Sequence, residues 1–438
     1  MTRAIVVLAG VALAAACTDQ LTTPGDCPNF CPSTEFRVVD TLLVTNLGRD
    51  TAFRGYVLPD TAVALPVVSL PSVESRALIR TQRTSPTYML GGDVTPYPIA
   101  GVDSLRLELT VLRPDTTPRN LTLSVYRVAK TINATTGFAD VNGSFVPDSL
   151  ARSVNLDDLF GQAMQYDADL TDSVRVNPVT GDLLYVDRVR NRLLVRVKLD
   201  SAQAPYVAAD SAELAFGFAV AADDAPSAIL GANEGAVGAR LTWYFRVDSA
   251  GVTQVARSQR VVPAFDTFVF DPPPAVLAPD LVVGGAPAAR SVLRVDLPRA
   301  IRDSAQAVRA TLLLVPTQPA LGVPADSFLV AAYRVQTDLG AKSPIAVPVA
   351  AGDSTNVATA WVRIGEIDTV RIEVTRLLRY WAADTLSATT FVLRQLTPIS
   401  GLTEGASLAE MRFYSSLTAA FRPSLHVTYV PRIHVGIP

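Results

Sequence analysis

The stretch Leu105-Arg-Leu-Glu-Leu-Thr-Val111 alternates apolar and polar side chains at every position. Successive side chains of a β-strand point to opposite faces of the sheet, so this alternation predicts a strand with one buried face. The apolar residues form the predicted core face, whereas Arg106, Glu108 and Thr110 form the predicted solvent face. Strands of this kind decide the fold class.

The same alternation returns along the chain, over Val195–Leu199, Val370–Val374 and Leu425–Tyr429. The 31 prolines and 25 glycines are scattered between short runs of this kind, as turn residues are in proteins built from many strands. We therefore predict an all-β fold of antiparallel sheets. The predicted helices are few and short, one over Thr375–Trp381 and one within Ser149–Gln165.

Two pairs of segments indicate an internal repeat. Glu74–Arg80 is similar to Ala288–Arg294, and Ser124–Val128 is similar to Ala331–Val335. Matched segments are separated by roughly the same distance along the chain, a little over 200 residues. The repeat predicts two tandem domains of one type.

A proline-rich segment, Pro272-Pro-Pro-Ala-Val-Leu-Ala-Pro279, lies between the two halves of the repeat. Consecutive prolines stiffen the chain and are excluded from central strands, so this segment is the predicted linker. The predicted domains are residues 35–271 and 280–438, each large enough for one β-sandwich.

The composition is that of a folded protein without an electrostatic attraction to nucleic acid. Hydrophobic residues make up 49% of the 438 residues and charged residues 18%, which suits a large apolar core. The net charge of −3 provides no basic excess, so we expect no nucleic-acid partner.

The first residues have the order of a secretory signal. Arg3 precedes an apolar run that ends at Ala16 and is shorter than the roughly 20 residues that cross a bilayer. Leu13-Ala-Ala-Ala-Cys17 resembles the bacterial lipobox, although its second position is alanine where that motif usually has leucine. The resemblance implies that residues 1–16 are removed and that Cys17 carries a lipid. Ordinary cleavage with an unmodified Cys17 is the alternative.

Residues 17–34 are predicted to form a polar, flexible tether that is rich in proline and glycine. Thr18, directly after the lipidation candidate, resembles the sorting pattern of outer-membrane lipoproteins, which leaves the periplasmic and the surface-exposed face open. Cys27 and Cys31 are spaced as Cys-Pro-Asn-Phe-Cys, and in an exported protein we expect them to form a small disulfide loop. A redox role for this pair is the alternative.

Several segments of the second half together resemble one family of exported bacterial domains. They are Leu281–Gly285, Arg290–Pro298, Ala307–Val315, Val374–Trp381, Phe391–Arg394, Met411–Ser416 and Arg422–Tyr429. In this order they are similar to DNRLRE-type domains, although Val295 stands where phenylalanine is usual. The resemblance covers about one third of the chain, and it reaches the first half only through the internal repeat.

The resemblance implies a jelly-roll β-sandwich, similar to carbohydrate-binding modules, on an exported bacterial protein. It implies no catalytic residue. With the repeat, it leads us to expect two tandem antiparallel jelly-roll-like β-sandwich domains with few short helices.

The two histidines are the first candidates for chemistry. His426 and His434 lie near the C-terminus, and the alternation of Leu425 and Val427 points His426 away from the core. A Ser-His-Asp triad would need one of them, but no Gly-x-Ser-x-Gly nucleophile elbow is present in the sequence. Solvated surface residues are the favoured interpretation, and a metal or base role is the alternative.

Clusters of aspartates are the second candidates. Asp167, Asp169 and Asp172, or Asp223 and Asp224, provide carboxylates for glycoside hydrolysis or for a structural calcium ion. The first cluster lacks the glycine and the distal glutamate of an EF-hand loop. We expect ordinary acidic turns and assign no metal, and calcium stays an open alternative.

Four aromatic residues are candidates for stacking on sugar rings: Trp243, Trp361, Trp381 and Tyr244. Trp243 shares the predicted face of Leu241 and Phe245, and Trp381 lies on the apolar face of the predicted helix, so both are predicted to be core. Tyr244 then points outward and is the candidate glycan-binding residue.

These observations lead us to expect a non-enzymatic, lipid-anchored envelope protein that acts by binding, with glycans as the favoured ligands. A structural or assembly component that binds other envelope proteins through its sheet edges is the alternative. A glycan-active hydrolase is a third hypothesis, which two carboxylates converging in a cleft would favour.

Overall fold

The computed structural model describes residues 38–44, 47–91, 94–112, 119–168, 170–199, 213–249, 252–272, 279–324, 326–346, 356–384, 386–396 and 404–431. Strands account for 53% and helices for 10% of the structure, so the predicted all-β class is confirmed. Cys17, Cys27, Cys31, Asp169, His434 and residues 273–278 of the predicted linker lie outside the described residues.

The first part of the described chain contributes a long series of strands. In chain order they are β1 (Val39–Leu43), β2 (Leu47–Arg54), β3 (Ala64–Leu70), β4 (Val73–Thr81), β5 (Thr87–Tyr88), β6 (Tyr97–Val111), β7 (Thr122–Arg127), β8 (Leu150–Asn155), β9 (Met164–Asp167), β10 (Asp172–Val176), β11 (Leu183–Asp187), β12 (Arg192–Leu199), β13 (Ala215–Ala221), β14 (Ser227–Gly231), β15 (Arg240–Ser249), β16 (Val252–Val261) and β17 (Pro263–Asp271).

The second part of the described chain contributes a shorter series. The strands are β18 (Leu281–Gly284), β19 (Ala289–Val295), β20 (Ala305–Leu314), β21 (Ser327–Arg334), β22 (Val357–Arg363), β23 (Val370–Glu373), β24 (Thr390–Leu396), β25 (Glu410–Phe413) and β26 (Ser424–Pro431). The α-helices of the described residues are α1 (Phe138–Asn142), α2 (Leu156–Phe160), α3 (Arg299–Arg302) and α4 (Thr375–Ala383).

The first sandwich has two antiparallel layers that share one core. One layer has the strand order β8-β7-β13-β4-β17, the other has the order β9-β10-β11-β12-β6-β15-β16, and β3 with β14 connects them. Phe216 of the first layer and Trp243 of the second lie in the same apolar cluster and have no exposed surface.

The strand predicted from Leu105–Val111 is part of β6, and its four apolar residues are buried as predicted. The prediction of a solvent face is wrong for Glu108 and Thr110, each of which is 8% exposed. Arg196 on the neighbouring strand β12 places its guanidinium 3.2 Å from the Glu108 carboxylate. Arg196 and Glu108 lie opposite each other on neighbouring strands, so the ion pair compensates both charges where they are buried.

The second sandwich has layers in the order β22-β21-β24-β19-β2 and β23-β20-β26-β1, with β18 and β25 beside β19. Leu312 and Leu425 of one layer share an apolar core with Leu293 and Phe391 of the other. The predicted helix over Thr375–Trp381 is confirmed as α4, and it buries its apolar side chains in this core.

The structure differs from the predicted boundary at residue 35. β1 pairs with β26, and β2 pairs with β19, so the segment 39–54 belongs to the sheets of the second sandwich. The prediction assigned these strands to the first domain because they are closer to it along the chain. A strand pairs with whichever sheet has a free edge for it. Alternation shows that a segment is a strand, but it does not show which sheet the strand joins.

The predicted helix within Ser149–Gln165 is shorter than expected. Leu150–Asn155 forms β8, which pairs with β7, and only Leu156–Phe160 is helical. The Asn155 side chain accepts a hydrogen bond from the backbone N–H of Asp158 at 3.0 Å, and this cap fixes the start of the helix. Within the described part of the chain, no helix has the length and apolar composition needed to cross a membrane.

The two sandwiches share one arrangement of strands. β7-β13-β4 corresponds to β21-β24-β19 in one layer, and β12-β6-β15 corresponds to β23-β20-β26 in the other. Register agrees as well, since Arg127 lies opposite Phe216 and Arg334 lies opposite Phe391. The similar segments of the sequence therefore lie on corresponding strands, β4 with β19 and β7 with β21.

Candidate functional site

The predicted glycan-binding residue, Tyr244, lies on β15 in the first sandwich. Its neighbours Trp243 and Phe245 point into the core and are fully buried, so Tyr244 points to the opposite face, as the alternation predicts. There it is half-buried, and the guanidinium of Arg106 lies 5.0 Å from the centre of its ring. The arginine occupies part of the ring surface that a sugar would contact.

The three tryptophans differ in exposure. Trp243 and Trp381 are fully buried, which confirms that both are core residues. Trp361 is 61% exposed on β22 of the second sandwich. Because β22 ends the strand order of its layer, a side chain there has a described neighbouring strand on one side only. Trp361 is therefore an aromatic ring held at the surface by a rigid strand.

Trp361 lies beside a cavity of about 280 Å³ between the edges of β22 and β23. Polar side chains from the connection between the two strands and from the start of β23 line it: Glu366, Asp368, Thr369 and Arg371. The two acids and the arginine are exposed. We call this surface, with Trp361, the β22–β23 cleft. It combines an exposed aromatic ring with both donors and acceptors of hydrogen bonds.

A second, wider groove of about 790 Å³ begins at the other end of β22. Val357 and Thr359 of β22 form one wall, and Arg309, Arg376 and Arg379 bring positive charge to it. Glu373 lies in the same groove and forms an ion pair with Arg309 at 3.1 Å. The two depressions together follow β22 along its length.

The first sandwich covers the position that corresponds to this cleft. β12, the counterpart of β23, pairs with β6 on one side and with β11 on the other. In the described residues β23 pairs with β20 alone. Strands β9, β10 and β11 thus extend the first sandwich at a position where no described strand of the second sandwich continues beyond β23.

The aspartate candidates lie apart, in two turns of the first sandwich. Asp167 and Asp172 face each other at the ends of β9 and β10, and each accepts hydrogen bonds from nearby groups of the protein. Asp223 accepts a hydrogen bond from the Asn120 side chain at 2.7 Å. Among the described residues, no group of three acidic, histidine or cysteine side chains converges as metal ligands would.

His426 lies on β26 and points to solvent, as predicted, while Leu425 and Val427 are fully buried. Its Nε2 atom is 2.8 Å from the Asp40 carboxylate on β1. Hydrogen bonds from Thr428 and then from His426 lower the pKa of Asp40. The histidine thus takes part in the contact between the first and last strands of the second sandwich.

Asp266 is a titratable group that the sequence patterns do not single out. It lies on β17, is 3% exposed, and accepts a hydrogen bond from the Asn233 backbone N–H at 2.8 Å. Burial raises the pKa of Asp266 to about 7, and the carboxyl group of Glu234 beside it acts in the same direction. No local pattern distinguishes this aspartate, because its burial results from strands that are distant in sequence.

The β22–β23 cleft is therefore the candidate site, and Trp361 is its most exposed aromatic group. Comparison with models of known protein families gives no matching family, and comparison with curated proteins gives no match either.

Proposed function

We propose that this protein is a lipid-anchored cell-envelope protein that acts by binding, and that it holds a glycan in the β22–β23 cleft. The observation that carries this proposal is the exposed ring of Trp361 beside a cavity with polar walls. An aromatic ring packs flat against the apolar face of a pyranose, and acids and arginines bind hydroxyl groups. Ligand sites commonly combine apolar surface with a few polar groups in this way.

The shape of the surface favours a polymer over a single sugar. The cleft and the arginine-lined groove lie at the two ends of β22, which has seven residues. At ~3.3 Å per residue, such a strand is about 20 Å long. Several sugar units fit along it, with Trp361 near one end.

A panel of immobilised bacterial and plant polysaccharides tests the proposal, with protein that begins at residue 33. We expect retention by at least one polysaccharide, and we expect Trp361→Ala to weaken binding about tenfold, which is the loss of roughly one ring contact. The matched control is Tyr166→Ala, which removes a ring that is 72% exposed in the first sandwich. Tyr244→Ala examines the residue predicted from sequence.

Equal binding by the Trp361→Ala variant and the parent protein would exclude the cleft as the glycan site. Glu366 and Asp368 both line the cavity, so the same samples are assayed for reducing sugars. Release of reducing sugars that disappears with Glu366→Gln would replace the binding function with hydrolysis.

The membrane anchor is proposed from the sequence alone, with Cys17 as the lipidated residue and the outer membrane as the location. Cys17→Ser should abolish incorporation of a labelled fatty acid and release the protein from the membrane fraction. A Cys27→Ser, Cys31→Ser variant is the control, because it removes the other two cysteines and keeps the acylation site. Membrane retention of the Cys17→Ser protein would contradict lipid anchoring.

One edge of β23 pairs with no strand of the described chain, and this supports a second candidate function, assembly with other envelope proteins. The corresponding edge of β12 is covered by β11, so this position of the fold accepts an antiparallel strand. Pull-down from native envelopes, with Arg371→Pro to disrupt the edge, tests this candidate. A partner that is lost with Arg371→Pro and kept with Trp361→Ala would favour assembly over glycan binding.

A further inference from the structure

The first two described strands, β1 and β2, occupy in the second sandwich the places that β16 and β17 occupy in the first. β16 pairs with β15, and β17 pairs with β4. In the second sandwich, β1 pairs with β26, the counterpart of β15, and β2 pairs with β19, the counterpart of β4. We call these two strands, β1 and β2, the clasp.

Register supports this correspondence at the level of single residues. Thr267 of β17 lies opposite Leu78, and Thr51 of β2 lies opposite Val292. Leu78 and Val292 occupy the same position in the similar segments of the two halves. An aspartate precedes each threonine, so the dipeptide Asp-Thr recurs at matching places.

The two aspartates also make the same contact. Asp266 accepts a hydrogen bond from the backbone N–H of Asn233 at 2.8 Å. Asp50 accepts one from the backbone N–H of Ser416 at 2.7 Å. In both sandwiches the acceptor lies on the layer's outermost strand. The donor lies shortly after β14, which pairs with β3, or shortly after β25, which pairs with β18. This shared hydrogen bond indicates that β2 is the structural counterpart of β17.

The clasp contributes to the core of the second sandwich and is fixed at its end. Leu43 and Leu47 are 6% and 1% exposed and belong to the central apolar cluster. Arg54 forms an ion pair with Glu410 at 2.8 Å, in which both side chains are largely buried. Just beyond β2, the backbone N–H groups of Gly55 and Tyr56 donate to the carbonyl oxygen of Ala288.

The structure assigns to the clasp the role of a donated strand pair: the second sandwich is a circular permutant of the first, and it is completed only when β1 and β2 bind along the edges of β26 and β19. The docking surface is therefore these two edges, and its occupant is the chain's own N-terminal strand pair. The first sandwich is continuous in sequence, whereas the second is assembled from both ends of the described chain.

Cleavage of the full chain tests the assignment. One protease site is inserted between Leu58 and Pro59, where Leu58 is 46% exposed, and another is inserted in the linker after Pro272. The protein carries an affinity tag at its C-terminus. After both cuts, we expect the fragment that contains the clasp to remain on the affinity resin with the C-terminal fragment, although no covalent bond joins them. A clasp fragment that is washed away, or that leaves with the middle fragment, would overturn the assignment.

Two leucines in the clasp provide a matched pair of variants. Leu47→Ala removes a buried side chain, and we expect it to reduce the retained clasp at least tenfold. Leu42→Ala makes the same chemical change at a side chain that is 53% exposed, and retention should change less than twofold. Equal loss in both variants would also overturn the assignment. In the uncut protein, hydrogen exchange of β1 should be as slow as that of β26, and should rise in the Leu47→Ala variant alone.

Discussion

At the residue scale, Asp266 shows how burial of one carboxyl group couples stability to pH. Its pKa is raised to about 7 by burial, whereas an aspartate in an unfolded chain has a pKa near 4. Between these two values the unfolded state has lost the proton and the folded state keeps it. The free energy of unfolding therefore falls as the pH rises from about 4 to about 7, and the loss is complete above that range.

Asp266→Asn should remove this loss, because an amide keeps an oxygen for the Asn233 N–H and carries no charge. A shift of about three pKa units corresponds to on the order of 4 kcal/mol, so we expect the variant to gain a few kcal/mol relative to the parent between pH 4 and pH 8. Urea unfolding at both pH values measures the difference. If the free energies of unfolding of the variant and the parent differed by the same amount at pH 4 and at pH 8, Asp266 would not titrate in this range.

Asp40 provides a control, because its effect on the free energy of unfolding should change with pH in the opposite direction. Hydrogen bonds from Thr428 and His426 lower the pKa of Asp40, so its stabilising effect is present at neutral pH and is lost as the pH falls through the acidic range. Asp40→Asn should therefore lower the stability of the second sandwich at pH 7 and have less effect at pH 3. The same urea experiments show whether the two substitutions act in opposite directions.

At the scale of elements, the hairpin between β18 and β19 depends on a glycine in the left-handed region. Gly284 has a φ of +85°, and a Cβ atom there would overlap the carbonyl oxygen of Ala409. Gly340 also has a positive φ, +63°, but nothing lies within 4 Å of its Cβ position. The two positions separate the cost of backbone conformation from the cost of a collision.

We expect Gly340→Ala to cost about 1–2 kcal/mol, which is the usual penalty of left-handed backbone for alanine. Gly284→Ala should cost clearly more, on the order of 4 kcal/mol, because the hairpin must also move away from the backbone of Ala409, directly before β25. Chemical denaturation of both variants measures the two values. Equal costs would mean that the hairpin moves without strain.

Elements also show what the sequence can predict. Alternation identified the buried face of β6 and placed Trp243 in the core, since both depend on side chains that are close in sequence. It did not assign β1 and β2 to the second sandwich, because an alternating strand fits either sheet edge. Trp361 was a stacking candidate that the alternation assigned to neither face. Its exposure follows from the position of β22 at the end of its layer among the described strands, and the residues next to Trp361 in sequence do not indicate that position.

At the scale of the whole molecule, the clasp makes folding of the second sandwich depend on the first, but not folding of the first on the second. The first sandwich is continuous, so it can form whatever the state of the second. The second must bring residue 54 next to residue 289, and the folded first sandwich holds the intervening chain compact. Without that folded unit, closing a loop of roughly 200 residues costs on the order of 5 kcal/mol of chain entropy.

Two buried tryptophans test this asymmetry. Trp243→Ala removes a fully buried ring from the first sandwich, and Trp381→Ala removes one from the second, each at a cost of about 3–5 kcal/mol to its own sandwich. We expect Trp381→Ala to lower the unfolding temperature of the second sandwich alone. Trp243→Ala should lower the unfolding temperatures of both sandwiches. Once the first sandwich unfolds, the second must close the long loop between residues 54 and 289 at the full cost in chain entropy. Calorimetry combined with hydrogen exchange assigns each transition to its sandwich. If Trp243→Ala left the second sandwich unaffected, the clasp would close without help from the first.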